Sequence, residues 1–255
     1  TIGDIESRHF LEAIRQFALD VGRENCAYIH VCLVPYISGS NEYKSKPTQH
    51  SVNELQGMGI NPDVIVLRSD GEVGEDIRRK IALFCNVKPD CVISDITLDC
   101  LYETPIALHN AGLDKAVCKA LKLGGRLQLS DWKAFVKRAK NVKTEVKIAL
   151  VGKYVALHDA YLSVAEALRS GGYAVNVKVD IAWVDSETVT DNTAKKIFGD
   201  ADGIIIPGGF GGRATEGMIA TCKYARENDV PCLGICLGMQ MMVIELSLIH
   251  ISEPT

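Results

Sequence analysis

Three features are missing from the sequence, and each absence excludes a class of protein. The nine cysteines include no CxxC pair, which argues against a zinc ribbon, and we predict no metal site. The 28 Lys and Arg residues do not outnumber the 32 Asp and Glu residues, so overall charge indicates neither a nucleic acid nor an anionic membrane as partner. No apolar run approaches the ~20 residues of a membrane span. The N-terminus also lacks a signal-peptide pattern, so we expect a cytoplasmic protein with reduced thiols.

What is present is the composition of an ordinary globular protein. The chain has 255 residues, of which 47% are apolar, 24% charged and 6% aromatic. These values exclude a disordered or fibrous chain, and the length allows one or two domains.

Apolar runs alternate with amphipathic stretches along the whole chain. This pattern predicts an α/β fold with two open, mainly parallel sheets flanked by helices. A Lys- and Arg-rich stretch separates the two series. We therefore predict a first domain over 1–129, a linker over 130–145 and a second domain over 146–246. The last residues, 247–255, show no clear amphipathic pattern and are excluded from the predicted fold.

The clearest chemical motif is the segment Gly234-Ile235-Cys236-Leu237-Gly238, which joins a predicted strand to a predicted helix. This is a nucleophile elbow with a thiol, because the glycines let the strand turn sharply into the helix. The turn brings Cys236 to the carboxyl edge of the sheet and to a helix N-terminus, which favours a thiolate. The alternative is a buried structural cysteine near a strand end.

A second motif, IIIPGGFGGR over 204–213, ends another predicted strand in glycines. Next to the elbow, the backbone N–H of Gly209 could form an oxyanion hole with that of Leu237. An ordinary turn is the alternative. A thiol nucleophile also needs a base, usually His, and none of the six histidines looks well placed. His158 lies in the first loop of the second domain, and His250 lies in the excluded tail.

Two further segments contain clustered charge. Lys44 to His50 supplies two lysines and a hydroxyl ahead of a helix predicted from Ser51, which suits a phosphate, although a solvated basic loop would look the same. Gly3 to Ser7 is interpreted as a helix cap with acidic residues in the first turn.

Six stretches together resemble the CTP synthase family, whose members are glutamine-dependent ligases that aminate UTP. They are, in family order, TIGDIES, KSKPTQHSV, RRKIALFCNV, VGKYVALHDAY, PGGFGGR and GICLGMQ, and they cover about 1–246. GICLGMQ is shared by many class I glutamine amidotransferases, whereas KSKPTQHSV is much more specific. The resemblance implies part of an amidoligase domain followed by part of a class I glutaminase domain.

The resemblance also implies roles for particular residues. Cys236 would be the glutaminase nucleophile, and the contacts to glutamine and its oxyanion would be Gly209, Leu237, Gly238, Met239 and Gln240. The site for UTP, shared by CTP as feedback inhibitor, would comprise Asp4, Ile5, Glu6, Lys44, Ser45, Lys46, Pro47, Thr48, Gln49 and Lys80. ATP and Mg²⁺ would be cofactors, GTP an allosteric activator and a homotetramer the assembly.

Some family features are not found in the sequence. They are the phosphate-binding loop, the Mg²⁺-binding carboxylates, and the His and Glu that complete the glutaminase triad. We therefore expect an internal fragment that is inactive by itself. Two alternatives stay open, namely the glutaminase domain of another amidotransferase and a non-catalytic nucleotide-binding or assembly protein. KSKPTQHSV argues against the first.

Overall fold

The structure, a computed structural model, describes residues 2–125 and 127–252, with side chains described up to 249. The chain divides into two compact units, Thr1–Val136 and Lys137–Thr255. The side chain of His250 and the end of the predicted tail, 253–255, lie outside the described residues.

The first unit is built around a parallel sheet in the order β1-β4-β5, next to a small antiparallel hairpin, β2-β3. Its described strands are β1 Ile29–Leu33, β2 Tyr36–Ile37, β3 Glu42–Tyr43, β4 Val64–Ser69 and β5 Val92–Ile96. Its described helices are α1 Arg8–Val21, α2 Lys46–Gly57, α3 Glu75–Phe84, α4 Thr104–Ala111, α5 Leu113–Ala120 and α6 Ser130–Lys140, within which the unit boundary falls. Short 3-10 turns occupy Ile5–Ser7, Arg23–Asn25, Pro89–Cys91 and Leu101–Glu103.

The second unit contains a four-stranded sheet in the order β7-β6-β8-β9, and every pair in it is parallel. Its described strands are β6 Thr144–Gly152, β7 Val177–Asp185, β8 Gly203–Ile206 and β9 Cys232–Gly234. Its described helices are α7 Leu162–Ala174, α8 Ala194–Phe198, α9 Thr215–Glu227 and α10 Leu237–Ser252, with 3-10 turns at His158–Tyr161 and Ser186–Thr188. Because the strands are parallel, Lys153, Pro207 and Ile235 follow β6, β8 and β9 at the same edge of the sheet.

The expected fold class is confirmed, because each unit has an open parallel sheet with helices packed on it. The central strands are buried on both faces, which is why they read as continuous apolar runs. In the first unit, Ile65, Leu67 and Ile81 are fully buried in the main core cluster. In the second unit, Phe198, Ile206 and Met218 are fully buried in the main core cluster. No helix in the described part of the chain is long and apolar enough to cross a bilayer.

Three segments differ from the sequence-based expectation. Helix α2 begins at Lys46 rather than at Ser51, because Pro47 sits in its first turn, where the missing N–H costs nothing. The predicted linker contains the whole of α6 and the start of β6. The excluded tail continues α10 as far as Ser252, because its Leu- and Ile-rich sequence contains no glycine or proline before Pro254.

Candidate functional site

Cys236 occupies the turn between β9 and α10, as expected of an elbow. Its φ is +51°, in the left-handed region that costs a residue with a Cβ roughly 1–2 kcal/mol. The glycines on either side are required by close packing. A Cβ on Gly234 would lie 2.5 Å from the amide nitrogen of Met239, and a Cβ on Gly238 would collide with the carbonyl oxygen of Ile206. The backbone is therefore fixed on both sides of an exposed thiol.

The glycine loop, residues 207–213 after β8, lies directly beside the elbow. A Cβ on Gly208 would be 3.4 Å from Cys236 Cβ, and one on Gly209 would be 3.4 Å from Leu237 Cδ2. The N–H of Ile235 donates to the carbonyl of Ile206 over 2.9 Å, which aligns the ends of β8 and β9. The structure therefore brings Gly209 and Leu237 close to each other beside Cys236.

The remaining glutaminase candidates line the first turn of α10. Gly238 and Leu237 are buried against the sheet, whereas Met239 and Gln240 are exposed. The N–H of Gln240 donates to the Cys236 carbonyl over 3.1 Å, so Cys236 caps the helix. Helix α10 therefore starts immediately after Cys236, and the positive end of its dipole lies at this residue.

Other thiols differ from Cys236 in environment. Burial raises the pKa of Cys32 to about 12 and that of Cys85 to about 11. Among side chains described between residues 2 and 249, none forms a hydrogen bond with the Cys236 thiol. The ring of His158 stacks on Trp183, with centroids 4.0 Å apart.

Lys153 is a residue that the sequence reasoning did not single out. It follows β6 and is only 4% exposed, yet its ammonium donates to the carbonyl oxygens of Phe210, over 3.2 Å, and Gly211, both in the glycine loop. Arg213 in the same loop donates to the Lys153 carbonyl over 3.0 Å and pairs with Glu187 over 2.7 Å. The sequence signal was a lysine directly after a buried strand and a glycine, within the family stretch VGKY.

In the first unit, Lys44 of the basic candidate site has an acidic partner. The Lys44 ammonium pairs with Glu42, and this hydrogen bond is the main reason that the pKa of Glu42 is lowered. The charge of Lys80, which lies on α3, makes a smaller contribution to the same lowering of the pKa.

The other residues of this segment form the start of α2. Lys46 and Pro47 are exposed in its first turn, and Ser45 precedes it, accepting a hydrogen bond from Gln49 Nε2 over 3.1 Å. Thr48 is fully buried, and its hydroxyl points to the Leu33 carbonyl over 3.5 Å. Its side chain therefore packs α2 on β1 instead of facing a ligand.

Asp4, Ile5 and Glu6 are exposed and lie at the 3-10 turn before α1. The carbonyl of Asp4 accepts a hydrogen bond from Ser7 Oγ over 2.9 Å. Asp4 to Glu6 therefore lie before α1, whereas Lys44 to Gln49 lie after β3 and include the start of α2. No group of three or more His, Cys, Asp or Glu side chains among the described residues is arranged to hold a metal ion.

Two family models match successive parts of the chain. The model of the CTP synthase N-terminus matches residues 1–123, and that of class I glutamine amidotransferases matches residues 156–252. CTP synthases of Clostridium beijerinckii and Clostridium acetobutylicum are 54% and 53% identical over 246 residues, which are 96% of this chain and 46% of each relative. The enzyme of Streptococcus agalactiae is 50% identical over 248 residues, with 97% and 46% coverage.

The chain belongs to the CTP synthase family. The resemblance drawn from the sequence is thereby confirmed, and the order of the two matches argues against a glutaminase domain of another amidotransferase. The chain spans about half the length of the CTP synthases that it matches. A solved glutaminase domain of Trypanosoma brucei CTPS with bound acivicin is 44% identical over 40% of each chain, with a TM-score of 0.38.

Proposed function

We propose that this protein takes part in the ATP-dependent amination of UTP to CTP, with ammonia supplied by hydrolysis of glutamine. The observation that supports this most directly is Cys236 at positive φ, between glycines that exclude a Cβ and beside the glycine loop. This elbow follows, in one chain, a unit that matches the CTP synthase N-terminus.

In the proposed glutaminase reaction, the Cys236 sulfur attacks the carboxamide carbon of glutamine. The C–N bond breaks, ammonia leaves with an added proton, and water later cleaves the thioester to glutamate. The N–H groups of Gly209 and Leu237 would stabilise the oxyanion of the tetrahedral intermediates. Gly238, Met239 and Gln240 would contact the substrate from the first turn of α10. We assign no base to a described residue.

The second proposed site binds UTP, and CTP as feedback inhibitor. Lys44, Lys46 and Lys80 would neutralise the triphosphate, supported by the helix N-terminus that begins at Lys46. The neighbouring contacts would be Ser45, Pro47 and Gln49, with the Thr48 backbone. Asp4, Ile5 and Glu6 would supply polar contacts, from another subunit if the site lies between copies, as the family resemblance implies.

ATP, Mg²⁺, activation by GTP, a homotetramer and a cytoplasmic location also belong to the proposal. The described residues offer no cluster of carboxylates suited to Mg²⁺.

The proposal can be tested with the protein expressed from its complete gene. CTP formation is measured with UTP and ATP, using either glutamine or ammonia as nitrogen source. Cys236→Ser should abolish the glutamine-dependent reaction and leave the ammonia-dependent one. Cys118→Ser, which alters another exposed thiol, should leave both intact. Glutamine-dependent activity that survives Cys236→Ser would contradict the assignment.

The UTP site calls for a separate test. Lys46→Ala should raise the UTP concentration needed for half-maximal activity, since charge-assisted contacts are worth ~1.5–3 kcal/mol each. Lys119→Ala, which removes an exposed partner of Asp90, is the matched control. Unchanged UTP dependence in Lys46→Ala would remove the start of α2 from the substrate site.

A further inference from the structure

A buried lysine is uncommon, because removing an ammonium from water is costly unless a counter-charge accompanies it. Lys153 is 4% exposed, and in the part of the chain that the structure describes no carboxylate lies within 4.0 Å of its ammonium. Its hydrogen bonds go to the backbone carbonyls of Phe210 and Gly211 instead. Hydrogen bonds from the ammonium to the glycine loop therefore offset the cost of burying this charge.

The backbone of Lys153 is held as firmly as its side chain. Its N–H donates to the hydroxyl of Tyr161 over 3.0 Å, and that hydroxyl is itself buried against Gly152. Its carbonyl accepts from Arg213 over 3.0 Å. The ammonium therefore projects from a rigid point at the end of β6.

The contacts extend along the glycine loop from Gly209 to Arg213. The aliphatic stem of Lys153 lies against Gly209, where a Cβ would be 3.5 Å from its Cδ. The ammonium holds the middle of the loop, and Arg213 ties its end to both Lys153 and Glu187. Gly211 has a φ of +74°, so the loop turns at the point where the ammonium is bound.

We propose that Lys153 is a positioning residue that, together with Arg213, fixes the glycine loop beside Cys236. This inference rests on the proposed glutaminase function for its catalytic consequence. The N–H of Gly209 can stabilise an oxyanion only if it is already aimed when negative charge develops. Lys153 supplies that preorganisation without touching the substrate.

Hydrogen exchange of the protein from its complete gene tests the structural half of the inference. Lys153→Met keeps the length of the stem and removes the charge. Amides of residues 208–213 should then exchange about tenfold faster, whereas those of β6 stay protected. Lys147→Met is the control, since Lys147 lies on β6, the strand that Lys153 follows, and pairs with the exposed Asp200. Unchanged exchange in the loop of folded Lys153→Met would overturn the proposal.

Kinetics test the catalytic half. In Lys153→Met, kcat for glutamine hydrolysis should fall about 100-fold, the effect typical of losing one oxyanion donor. KM should change much less, and ammonia-dependent CTP formation should persist. An equal loss with glutamine and with ammonia would indicate general damage and overturn the proposal.

A second variant covers the case in which Lys153→Met does not fold. Arg213→Gln removes a more exposed side chain, so folding should survive, and it should loosen the same loop and lower the same kcat. Unchanged loop exchange in Arg213→Gln would then overturn the proposal. If the wild-type protein hydrolyses no glutamine, the proposed function fails, while hydrogen exchange still decides whether Lys153 holds the loop.

Discussion

At the scale of single residues, backbone strain and burial set each side chain's chemistry. Cys236 adopts a positive φ at a cost of roughly 1–2 kcal/mol. Such a conformation persists only where the surroundings over-determine it. Those surroundings are the packed glycines Gly234 and Gly238. Backbone strain of this kind is expected where a turn must hold one side chain in a defined position.

The first prediction concerns thiol reactivity. Iodoacetamide at neutral pH should label Cys236 much faster than Cys32 or Cys85, because it is exposed and because burial raises the pKa of the other two. Peptide mapping after limited labelling measures the rates. Cys118, also exposed, shows what accessibility alone contributes. Equal labelling of Cys236 and Cys32 would contradict the elbow geometry.

The second prediction concerns His30, which is buried on β1 with its Nε2 2.9 Å from Ser51 Oγ. Burial lowers its pKa below the ordinary value of 6.5. As the pH falls below about 6.5, His30 becomes protonated in the unfolded chain before it does so in the folded chain. The free energy of unfolding should therefore decrease as the pH falls, by at most ~1.4 kcal/mol per pH unit.

The predicted decrease in stability can be tested by urea unfolding of the first unit between pH 7.5 and 5.5. His30→Gln should show a weaker pH dependence than the wild type, whereas His9→Gln, at an exposed position, should not. A pH dependence that is identical in the wild type and His30→Gln would refute the prediction.

At the scale of elements, close approaches between helices and strands decide which glycines are needed. Gly171 and Gly172 are neighbours in α7, yet only one touches the sheet. A Cβ on Gly172 would lie 2.5 Å from the Val177 carbonyl oxygen, whereas one on Gly171 meets nothing within 4 Å. The two positions should therefore respond to alanine in opposite ways.

The third prediction follows from this pair. Gly171→Ala should raise the free energy of unfolding by up to ~1 kcal/mol, because alanine is the better helix former. Gly172→Ala should lower it by about 1–3 kcal/mol through overpacking. Thermal and urea unfolding measure both, and shifts of the same sign would contradict the packing of α7 on β7.

Much of the architecture could be predicted from the sequence because buried parallel strands are continuous apolar runs. The runs at 64–67 and 203–207 correspond to β4 and β8. The hairpin β2-β3 could not be found in this way, since strands of two residues show no periodicity. The start of α2 was missed because Lys44 to His50 was interpreted as a loop, although Pro47 is well suited to the first turn of a helix.

In the candidate site, too, one feature could be predicted from the sequence and another could not. The position of Cys236 between strand and helix follows from local sequence, and its role stays a prediction. The burial of Lys153 depends on carbonyls of the glycine loop more than 50 residues further along the chain. The local sequence indicates that Lys153 follows a buried strand, but a lysine at a strand end is normally solvated, so the contact with the loop could not be predicted from it.

At the scale of the whole molecule, each unit has a parallel sheet and core clusters of its own. The fourth prediction is that damage to one core stays mostly in its own unit. Leu67→Ala and Phe198→Ala remove fully buried side chains from the first and second units and should each cost about 2–5 kcal/mol. Hydrogen exchange should show lost protection mainly in the unit that contains the substitution. Equal loss in both units would contradict the prediction.

The chain's two tryptophans are divided between these units. Trp132 donates its indole N–H to the Tyr102 carbonyl over 2.8 Å in the first unit, and Trp183 stacks on His158 in the second. Each unit therefore contains its own intrinsic fluorophore, in a different polar and aromatic environment. Trp132→Phe and Trp183→Phe would give two single-tryptophan proteins, in which emission reports the melting of one unit at a time without an added dye.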